Sequence, residues 1–498
     1  MSKLLFDNNE WTLEKIKDTW EVIDSIGKSM GLDYYKPQIE IISAEQMLEA
    51  YSSVAMPIMY NHWSFGKQFV REEKLYKSGQ MPLAYEVVIN TNPTITYLRD
   101  DNTMTMQTLV LAHSICGHST FFKQNYLFEY WTSADFILDY LKFAKNFISD
   151  CEDKYGEEEV EKILDACHAI KYYGIDKYKR PQNLKSETAR QIEREDYNQT
   201  IFNEIWRTVP TKEKTSASFR EDFNWRRGFP EENLLYFIEK NSPILKVWQK
   251  ELVRIVRTIS QYFYPQMQTQ VMNEGFATFI HYEIMGKLHD EGYISPGAYL
   301  EFLHSHTSVV FQPTYDSNYF SGINVYALGF AMMMDLKRIM TEPTKEDYEW
   351  FPSLAGTGDY LKQILRIVKD YKDSSFILQF LSPKVIRDFK LFAYYSEQDS
   401  RYYEIVQTQQ KSDVMHIRQI LSDQYNLSKS LPQIEITNYN YSTDRSLELQ
   451  HTVYDNRLLH YDQAKETLEH ITQLWGFPVA LEYVDRNGVP LDYSTLED

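Results

Sequence analysis

The sequence predicts a mainly α-helical protein with a few short strands, in which a large helical core precedes a small carboxyl-terminal α+β module. The first indication is that apolar residues recur at helical spacing over long stretches, for example over 11–30 and 245–263. The second is a change of composition past Pro432, where short strand-like alternations begin. With 498 residues, 43% hydrophobic and 25% charged, the chain has the composition of a globular protein that exceeds one typical domain.

We therefore expect a helical core over residues 1–425 and a small α+β domain over 426–498. Three strands and one helix are predicted in the latter: Gln433–Thr437, Leu447–His451, Tyr461–Trp475 as the helix, and Val479–Tyr483. The polar stretch at about 175–230 predicts a solvated, partly helical excursion from the core.

Local signals mark several elements of the core. Ser43–Gln46 has the pattern of a capping box, and Ser133–Phe136 is typical of a helix start. Tyr85–Asn90 is a β-branched run closed by Asn-Thr-Asn-Pro, which predicts a strand and turn. We expect Pro265 to interrupt a long helix and another helix to carry Met272–Met285.

The net charge and the cysteine content limit the binding partners and the cellular compartment that we expect. The net charge of −19 disfavours nucleic acid and anionic lipid as partners, because both carry negative charge. Three cysteines without a Cys-x-x-Cys spacing indicate a reducing compartment. The amino-terminal residues lack a signal-peptide pattern, and no run approaches the ~20 apolar residues of a membrane span. We expect a cytoplasmic protein with no membrane span.

The segment Ala112–His118 is the sharpest candidate for chemistry, because His113 and His118 flank Cys116 and Gly117. Imidazole is a common ligand of zinc and other transition metals, and the thiol is a further candidate ligand. Residues i and i+5 of an ideal α-helix point about 140° apart, so sharing one face requires a bulge or a helix end, which Gly117 can provide. The alternative is a pair of hydrogen-bonded core histidines.

The second candidate pairs Glu274 with His281, seven residues apart and therefore on one side of a helix. If these side chains face His113 and His118, a three- or four-ligand metal site results, with Glu274 as a ligand or as a general base. The alternative is a buried Glu–His hydrogen bond.

Two further histidine clusters are weaker candidates. Tyr60–Lys67 contains His62 and Lys67 among aromatic residues and is typical of a tight loop locked by packing. His304 and His306 would face one side of a strand, although one exposed histidine is the more common arrangement. Nucleotide-binding glycine motifs and Gly-x-Ser-x-Gly are absent from the sequence.

Stretches that carry a family resemblance run through nearly the whole chain. They are Tyr60–Lys67, Leu83–Asn90, Ala112–His118, Phe121–Lys123, Trp248–Gln266, Met272–Gly275, Ser305–Pro313, Gly322–Asn324 and Tyr326–Phe330. In this order they resemble the stage V sporulation protein R (SpoVR) family. Val325 departs from the family's pattern, which has proline there, and we expect this to change the rigidity of a loop.

The resemblance implies a role in sporulation and in forming the spore cortex, which is modified peptidoglycan, or a role in stress response. It also implies partnership with a PrkA-type serine protein kinase and a von Willebrand-type protein. It supplies no catalytic residues, but the histidine and glutamate motifs lie within the matching stretches.

The residues lead to one hypothesis and one rival. The hypothesis is a metal-dependent hydrolase in which His113, His118 and His281 bind zinc, iron or manganese, with Glu274 as fourth ligand or general base. The rival is a non-catalytic adaptor of the kinase, whose helical core is structural and whose carboxyl-terminal module or polar excursion binds partners.

Overall fold

The computed structural model describes residues 3–52, 56, 58–77, 85–178, 229–314, 317, 322–391, 393–395, 403–405, 411–440, 444–454 and 458–491. The polar stretch predicted as an excursion lies outside the described residues between 179 and 228.

Helices dominate the described residues, so the mainly α-helical fold class is confirmed. The helices are α1 Leu13–Ser29, α2 Ala44–Ser52, α3 Trp63–Lys77, α4 Met104–Leu111, α5 Thr120–Gln124, α6 Tyr126–Trp131, α7 Ile137–Tyr155, α8 Glu157–Ala169, α9 Leu234–Asn241, α10 Val247–Met267, α11 Gln270–Asp290, α12 Pro296–Val309, α13 Val325–Thr341, α14 Lys345–Trp350, α15 Tyr360–Asp370, α16 Asp373–Phe380, α17 Pro383–Asp388, α18 Lys411–Gln424, α19 Leu427–Ser430 and α20 Tyr461–Trp475. A π-helix, Ala112–Ser119, joins α4 to α5, and a 3₁₀-helix spans Lys171–Tyr173.

The strands form three small sheets within the described residues. Their bounds are β1 Pro37–Ile42, β2 Glu86–Ile89, β3 Thr94–Arg99, β4 Ala393–Tyr395, β5 Tyr403–Ile405, β6 Gln433–Tyr439, β7 Leu447–Thr452 and β8 Val479–Val484. In the first sheet β3 lies between β1, which is parallel to it, and β2, which is antiparallel. In the last sheet β7 pairs with β6 in antiparallel and with β8 in parallel fashion, and β4 and β5 form a two-stranded ribbon.

Most local signals in the sequence correspond to elements of the structure. The capping box of α2 is present, because the Ser43 hydroxyl accepts from the Gln46 backbone N–H and the Gln46 side chain accepts from that of Ser43. The helix predicted at Tyr461–Trp475 has those bounds, and the three carboxyl-terminal strands extend one or two residues beyond the predicted ones.

Two local predictions are wrong. Pro265 does not interrupt α10, which continues to Met267, because a proline this close to a helix end removes only one backbone hydrogen bond. Val325 does not lie in a loop but is the first residue of α13, directly after Asn324, whose side chain accepts from the Tyr326 backbone N–H. Proline is favoured at that helical position, which accounts for the family's pattern there.

The chain divides into two compact units. One comprises residues 1–147 and 264–430, and the other comprises 148–263 and 431–498. The second unit therefore contains the strands β6, β7 and β8 with α20, for which the sequence predicts a separate module from residue 426, together with α8 and α9. No helix among the described residues is long and apolar enough to cross a membrane.

Helix α11 is the central element of the first unit, because every residue from Gly275 to His281, about two turns, is buried. Its neighbours approach at small residues. A Cβ on Gly275 would overlap the backbone of Gly329 in α13, and one on Gly117 of the π-helix would lie 2.6 Å from Ala277 Cα. These contacts set how closely the π-helix and α13 pack against α11.

Asp373 satisfies the amino terminus of α11. Its buried carboxylate accepts from the backbone N–H groups of Val271 at 2.9 Å and Met272 at 2.8 Å. Such groups have no partner within the helix, and a negative side chain also complements the helix dipole. This contact holds the first turn of α11, which carries Asn273 and Glu274.

We expect Gly275→Ala to lower the free energy of unfolding by on the order of 1–3 kcal/mol, because the added methyl group forces α11 and α13 apart. Gly286→Ala is the matched control on the same helix, since a Cβ there meets nothing within 4 Å. It should leave stability unchanged or raise it by up to about 1 kcal/mol, because alanine favours helix. Urea unfolding measures both, and equal stability of the two variants would contradict the close packing.

Asp373→Ala should lower the free energy of unfolding by about 1–3 kcal/mol, because two buried N–H groups of α11 lose their acceptor. Asp373→Asn retains one acceptor oxygen and should lose less. The same urea titration ranks the two, and an asparagine variant as unstable as the alanine variant would count against the capping role.

Candidate metal centre

The π-helix brings His113 and His118 together. Its i→i+5 hydrogen bonds place residue i+5 about one turn beyond residue i, which an α-helix does not do. The two imidazole rings lie 4.6 Å apart between centroids and are nearly perpendicular. Gly117 does not break the helix, contrary to the role that the sequence suggested, because the wider π-helical turn itself aligns the histidines. Gly117 instead allows Ala277 of α11 to approach closely.

Glu274, in the first turns of α11, completes a three-residue cluster. Its Oε2 atom lies 3.5 Å from His118 Nε2 and 3.7 Å from His113 Nε2. Ligand atoms of the three residues all lie within 4.8 Å of one another. Zinc bonds to nitrogen and oxygen are about 2.0–2.2 Å long, so ligands of a tetrahedral ion stand about 3.3–3.5 Å apart. The two distances to Glu274 Oε2, 3.5 and 3.7 Å, are close to this spacing.

The Glu274 Oε2 atom is buried and has no hydrogen-bond partner among the described residues. Buried carboxylate oxygens normally accept hydrogen bonds, since leaving one without a partner is costly. The two nearest imidazole nitrogens are beyond the 2.7–3.2 Å of an ordinary hydrogen bond. A cation between these three atoms would satisfy the oxygen.

Glu86 is a fourth member of the site that the sequence did not indicate. It begins β2, and its Oε1 atom lies 3.7 Å from His113 Nε2 with the side chain 16% exposed. A charged residue at the start of an otherwise apolar strand, Glu86–Ile89, was the available signal. Its partner is remote in sequence, so spacing alone does not reveal it.

A second layer of contacts orients the cluster. His118 Nδ1 lies 2.9 Å from Asn273 Oδ1, which accepts a hydrogen bond and thereby leaves the His118 Nε2 lone pair facing Glu274. The Tyr326 side chain of α13 also contributes to lowering the pKa of the Glu274 carboxyl group. Metal sites typically contain residues such as Asn273, which hydrogen-bond the atoms of a ligating side chain that do not bind the metal.

His281, predicted as a ligand, lies behind His113 and is not one of the three clustered residues. Its Nδ1 atom is 2.9 Å from His113 Nδ1, and its Nε2 atom is 3.0 Å from His306 Nδ1. His306 lies on α12 and not on a strand, and His304 is exposed on the same helix. Both ring nitrogens of His281 therefore face other histidines.

Burial and neighbouring charges shift the pKa values of the Glu86 and Glu274 carboxyl groups in opposite directions. Burial raises the pKa of Glu86 above its usual range, whereas His118 and His113 outweigh burial at Glu274 and lower its pKa. Burial lowers the pKa of His118, and at His113 the acidic neighbours Glu274 and Glu86 outweigh burial and raise it. Two carboxyl groups with opposed pKa shifts in one site suit different roles.

The outer histidines are held neutral. Burial and the neighbouring histidines lower the pKa of His281 well below its usual value, and burial with His113 lowers that of His306 to about 4.

Other candidates from the sequence lie elsewhere. Burial raises the pKa of the Cys116 thiol, which disfavours a thiolate ligand. The tight loop predicted over Tyr60–Lys67 is wrong, because α3 begins at Trp63. His62 precedes this helix, and its Nδ1 atom lies 2.7 Å from Ser64 Oγ beside the rings of Trp63 and Phe65.

Comparison with known proteins assigns the chain to a family. The family model described as "SpoVR like protein" matches residues 10–430, and that described as "SpoVR-like C-terminal domain" matches residues 432–486. The chain is also 52% identical over 488 residues to a protein of Escherichia coli (strain K12) described as "Uncharacterized protein YcgB", covering 97% of this chain and 94% of that protein. No solved structure matches the chain. The resemblance found in the sequence is thus confirmed, and the chain belongs to the SpoVR family.

Proposed function

We propose that the protein is a metal-dependent hydrolase whose site holds a divalent transition ion, namely zinc, iron or manganese. His113 Nε2, His118 Nε2 and the Glu274 carboxylate are the ligands. The observation that carries the proposal is the buried Glu274 Oε2 atom, which faces both imidazoles at 3.5 and 3.7 Å and has no hydrogen-bond partner among the described residues. A buried Glu–His hydrogen bond would bring these atoms closer.

The ligand set favours hydrolytic chemistry. Two imidazoles and one carboxylate would leave part of the coordination sphere of a bound ion open, as in catalytic zinc sites, and the ion would act as a Lewis acid that lowers the pKa of a water molecule. Glu86 stands beside the cluster without being one of its three closest members, so we assign it the role of general base that accepts the proton of the water. Glu274 then acts as a ligand.

The substrate class we propose is a peptide or a cell-wall precursor. The family's association with the spore cortex supports it, because the cortex is modified peptidoglycan. The three cysteines are unpaired, which suits action on a precursor in the cytoplasm.

Metal analysis tests the ligand set directly. The purified protein should hold close to one equivalent of a divalent transition ion per chain, and His113→Ala, His118→Ala and Glu274→Ala should lose it, because each removes a ligand atom. His304→Ala, an exposed histidine, is the matched control and should retain it. Elemental analysis by mass spectrometry, with circular dichroism to establish folding, measures this.

No metal in the wild-type protein, even after soaking with zinc, iron or manganese, would contradict the proposal. Metal retained in all three ligand variants would contradict the assignment of the ligands.

If Glu86 is the general base and not a ligand, its replacement should impair catalysis without loss of metal. Glu86→Gln should retain the metal but lower the rate of hydrolysis of a peptidoglycan-derived peptide by roughly 10²–10⁴-fold, because the amide cannot accept the proton. The measurement is release of free amine under saturating substrate. An unchanged rate would show that another group is the base, and loss of metal would make Glu86 a fourth ligand.

A non-catalytic adaptor is the second candidate, with the PrkA-type serine protein kinase and the von Willebrand-type protein as partners. The family resemblance supports it, together with one surface feature. Phe136, directly before α7, is 68% exposed and Phe143 of α7 is 46% exposed, and the ring of Phe143 adjoins those of Tyr140 and Phe147. Contiguous exposed apolar side chains often mark contact sites for partners.

The adaptor function is tested by co-purification with the PrkA-type kinase. Phe136→Ser combined with Phe143→Ser should weaken co-purification, because it removes exposed apolar area, whereas His113→Ala should leave it unchanged. Recovery of no kinase by the wild-type protein would count against this function, and equal recovery by the surface variant would exclude this surface.

A further inference from the structure

We propose that the second unit binds a small uncharged amphipathic molecule, an alcohol or an amide whose apolar tail has about six carbons. The site is a cavity of about 180 Å³ between α20 and the sheet of β6, β7 and β8, bounded also by the end of α8 and the 3₁₀-helix. Its lining residues all belong to the unit of residues 148–263 and 431–498, whereas His113, His118 and Glu274 belong to the other unit. The inference is therefore independent of the proposed function.

The walls of the cavity follow from the spacing of apolar residues in the strands and in α20. Leu449 of β7 is paired directly with Leu481 of β8, and both line the cavity. Alternate residues of a strand face the same side, so this pair belongs to one apolar face of the sheet. On α20 the residues Ala464, Leu468 and Ile471 recur at intervals of four and three, which places them together on one face of the helix, and they line the cavity as well.

Two alanines in the lining give the cavity its size. Ala169 is the last residue of α8, and Ala464 lies in the first turns of α20. A larger apolar side chain at either position would project into the cavity. A cavity of about 150 Å³ lined by apolar side chains binds benzene, a molecule of six carbons. The volume of about 180 Å³ therefore suits an apolar group of this size or slightly larger.

The cavity combines a buried apolar floor with an exposed polar rim. Ile170, Leu234 and Leu449 are buried, whereas His460 and Gln463 are exposed at the amino-terminal end of α20. An apolar tail gains free energy when it leaves water for such a floor, whereas a polar end group is costly to bury without a hydrogen-bond partner. The imidazole and the amide at the rim can both donate and accept hydrogen bonds. This distribution favours an amphipathic molecule that enters tail first.

The polar groups of the lining favour an uncharged end group. The Tyr173 hydroxyl donates to the backbone carbonyl of Pro432 at 3.1 Å, and burial raises the pKa of Tyr173 to about 12, so the hydroxyl stays protonated at neutral pH. Its oxygen can still accept a hydrogen bond from an O–H or N–H group of a ligand. Among the described residues that line the cavity none is Lys, Arg, Asp or Glu. A charged end group would therefore have no partner of opposite charge there.

The experiment titrates the full-length protein with butanol, hexanol, octanol and decanol and measures the affinities by ligand-observed NMR. Each methylene buried in the cavity should tighten binding about fourfold up to hexanol. The affinity should then level off, because the cavity is filled by about six carbons. Hexanoate and hexylammonium should bind roughly tenfold more weakly than hexanol or worse, because their charge is unpaired. Saturation transfer should be stronger to the terminal methyl group of hexanol than to its carbinol protons.

Variants of the cavity wall change the available volume in both directions. Ala464→Leu should weaken hexanol binding roughly 10–100-fold, because the new side chain takes the space of about three carbons of the ligand. Leu468→Ala removes as many carbons from the wall and should move the levelling-off from hexanol to octanol or beyond. Ala480→Leu is the matched control, since Ala480 is exposed and faces the opposite side of the sheet from Leu481, and it should bind as the wild type does. Circular dichroism establishes that each variant folds.

No binding of any of the alcohols by the wild-type protein would overturn the inference. An affinity that keeps rising through decanol would also overturn it, because the ligand would then adsorb to an open surface, and so would unchanged binding by folded Ala464→Leu. If Ala464→Leu does not fold, Leu468→Ala decides, and an unchanged chain-length limit in that variant would overturn the site. Binding of hexanoate or hexylammonium as tight as that of hexanol would overturn the assignment of an uncharged ligand.

Discussion

The close contact of α11 with the π-helix and α13 is the constraint on which the candidate site depends. Where these helices meet, Gly117 packs against Ala277 and Gly275 packs against Gly329. Because these residues are small, no large side chain separates the backbones. Glu274 is adjacent to Gly275, and His118 is adjacent to Gly117. The packing therefore positions the carboxylate and the imidazoles directly, because each functional residue is a neighbour of the residue that makes the contact.

The π-helix and the buried polar contacts orient the functional side chains on these helices. A wider turn aligns His113 with His118, and Asn273 and His281 contact the Nδ1 atoms of His118 and His113. Buried imidazoles and carboxylates are costly unless each polar atom has a partner. Within this cluster the Glu274 Oε2 atom has no hydrogen-bond partner among the described residues, and it faces the Nε2 atoms of both histidines.

Hydrophobic spacing and turn residues were sufficient to predict the fold class, the capping box at Ser43 and the helix Tyr461–Trp475, because these depend on neighbours in sequence. The pairing of the His113 motif with Glu274 was also anticipated, since both sit in apolar helical stretches. The π-helix, Glu86 and the position of His281 were not. They depend on contacts between residues remote in sequence, such as the 168 positions that separate His113 from His281, and no local pattern encodes them.

The central claim is that His113, His118 and Glu274 surround a metal ion, and X-ray absorption at the metal edge of the zinc-loaded protein tests it most directly. The account predicts an inner shell of nitrogen and oxygen atoms at about 2.0–2.2 Å, with the outer-atom scattering of two imidazoles and no sulfur. A sulfur neighbour at about 2.3 Å, or a shell of oxygen atoms without imidazole, would contradict it, because the ion would then be bound by Cys116 or by surface carboxylates.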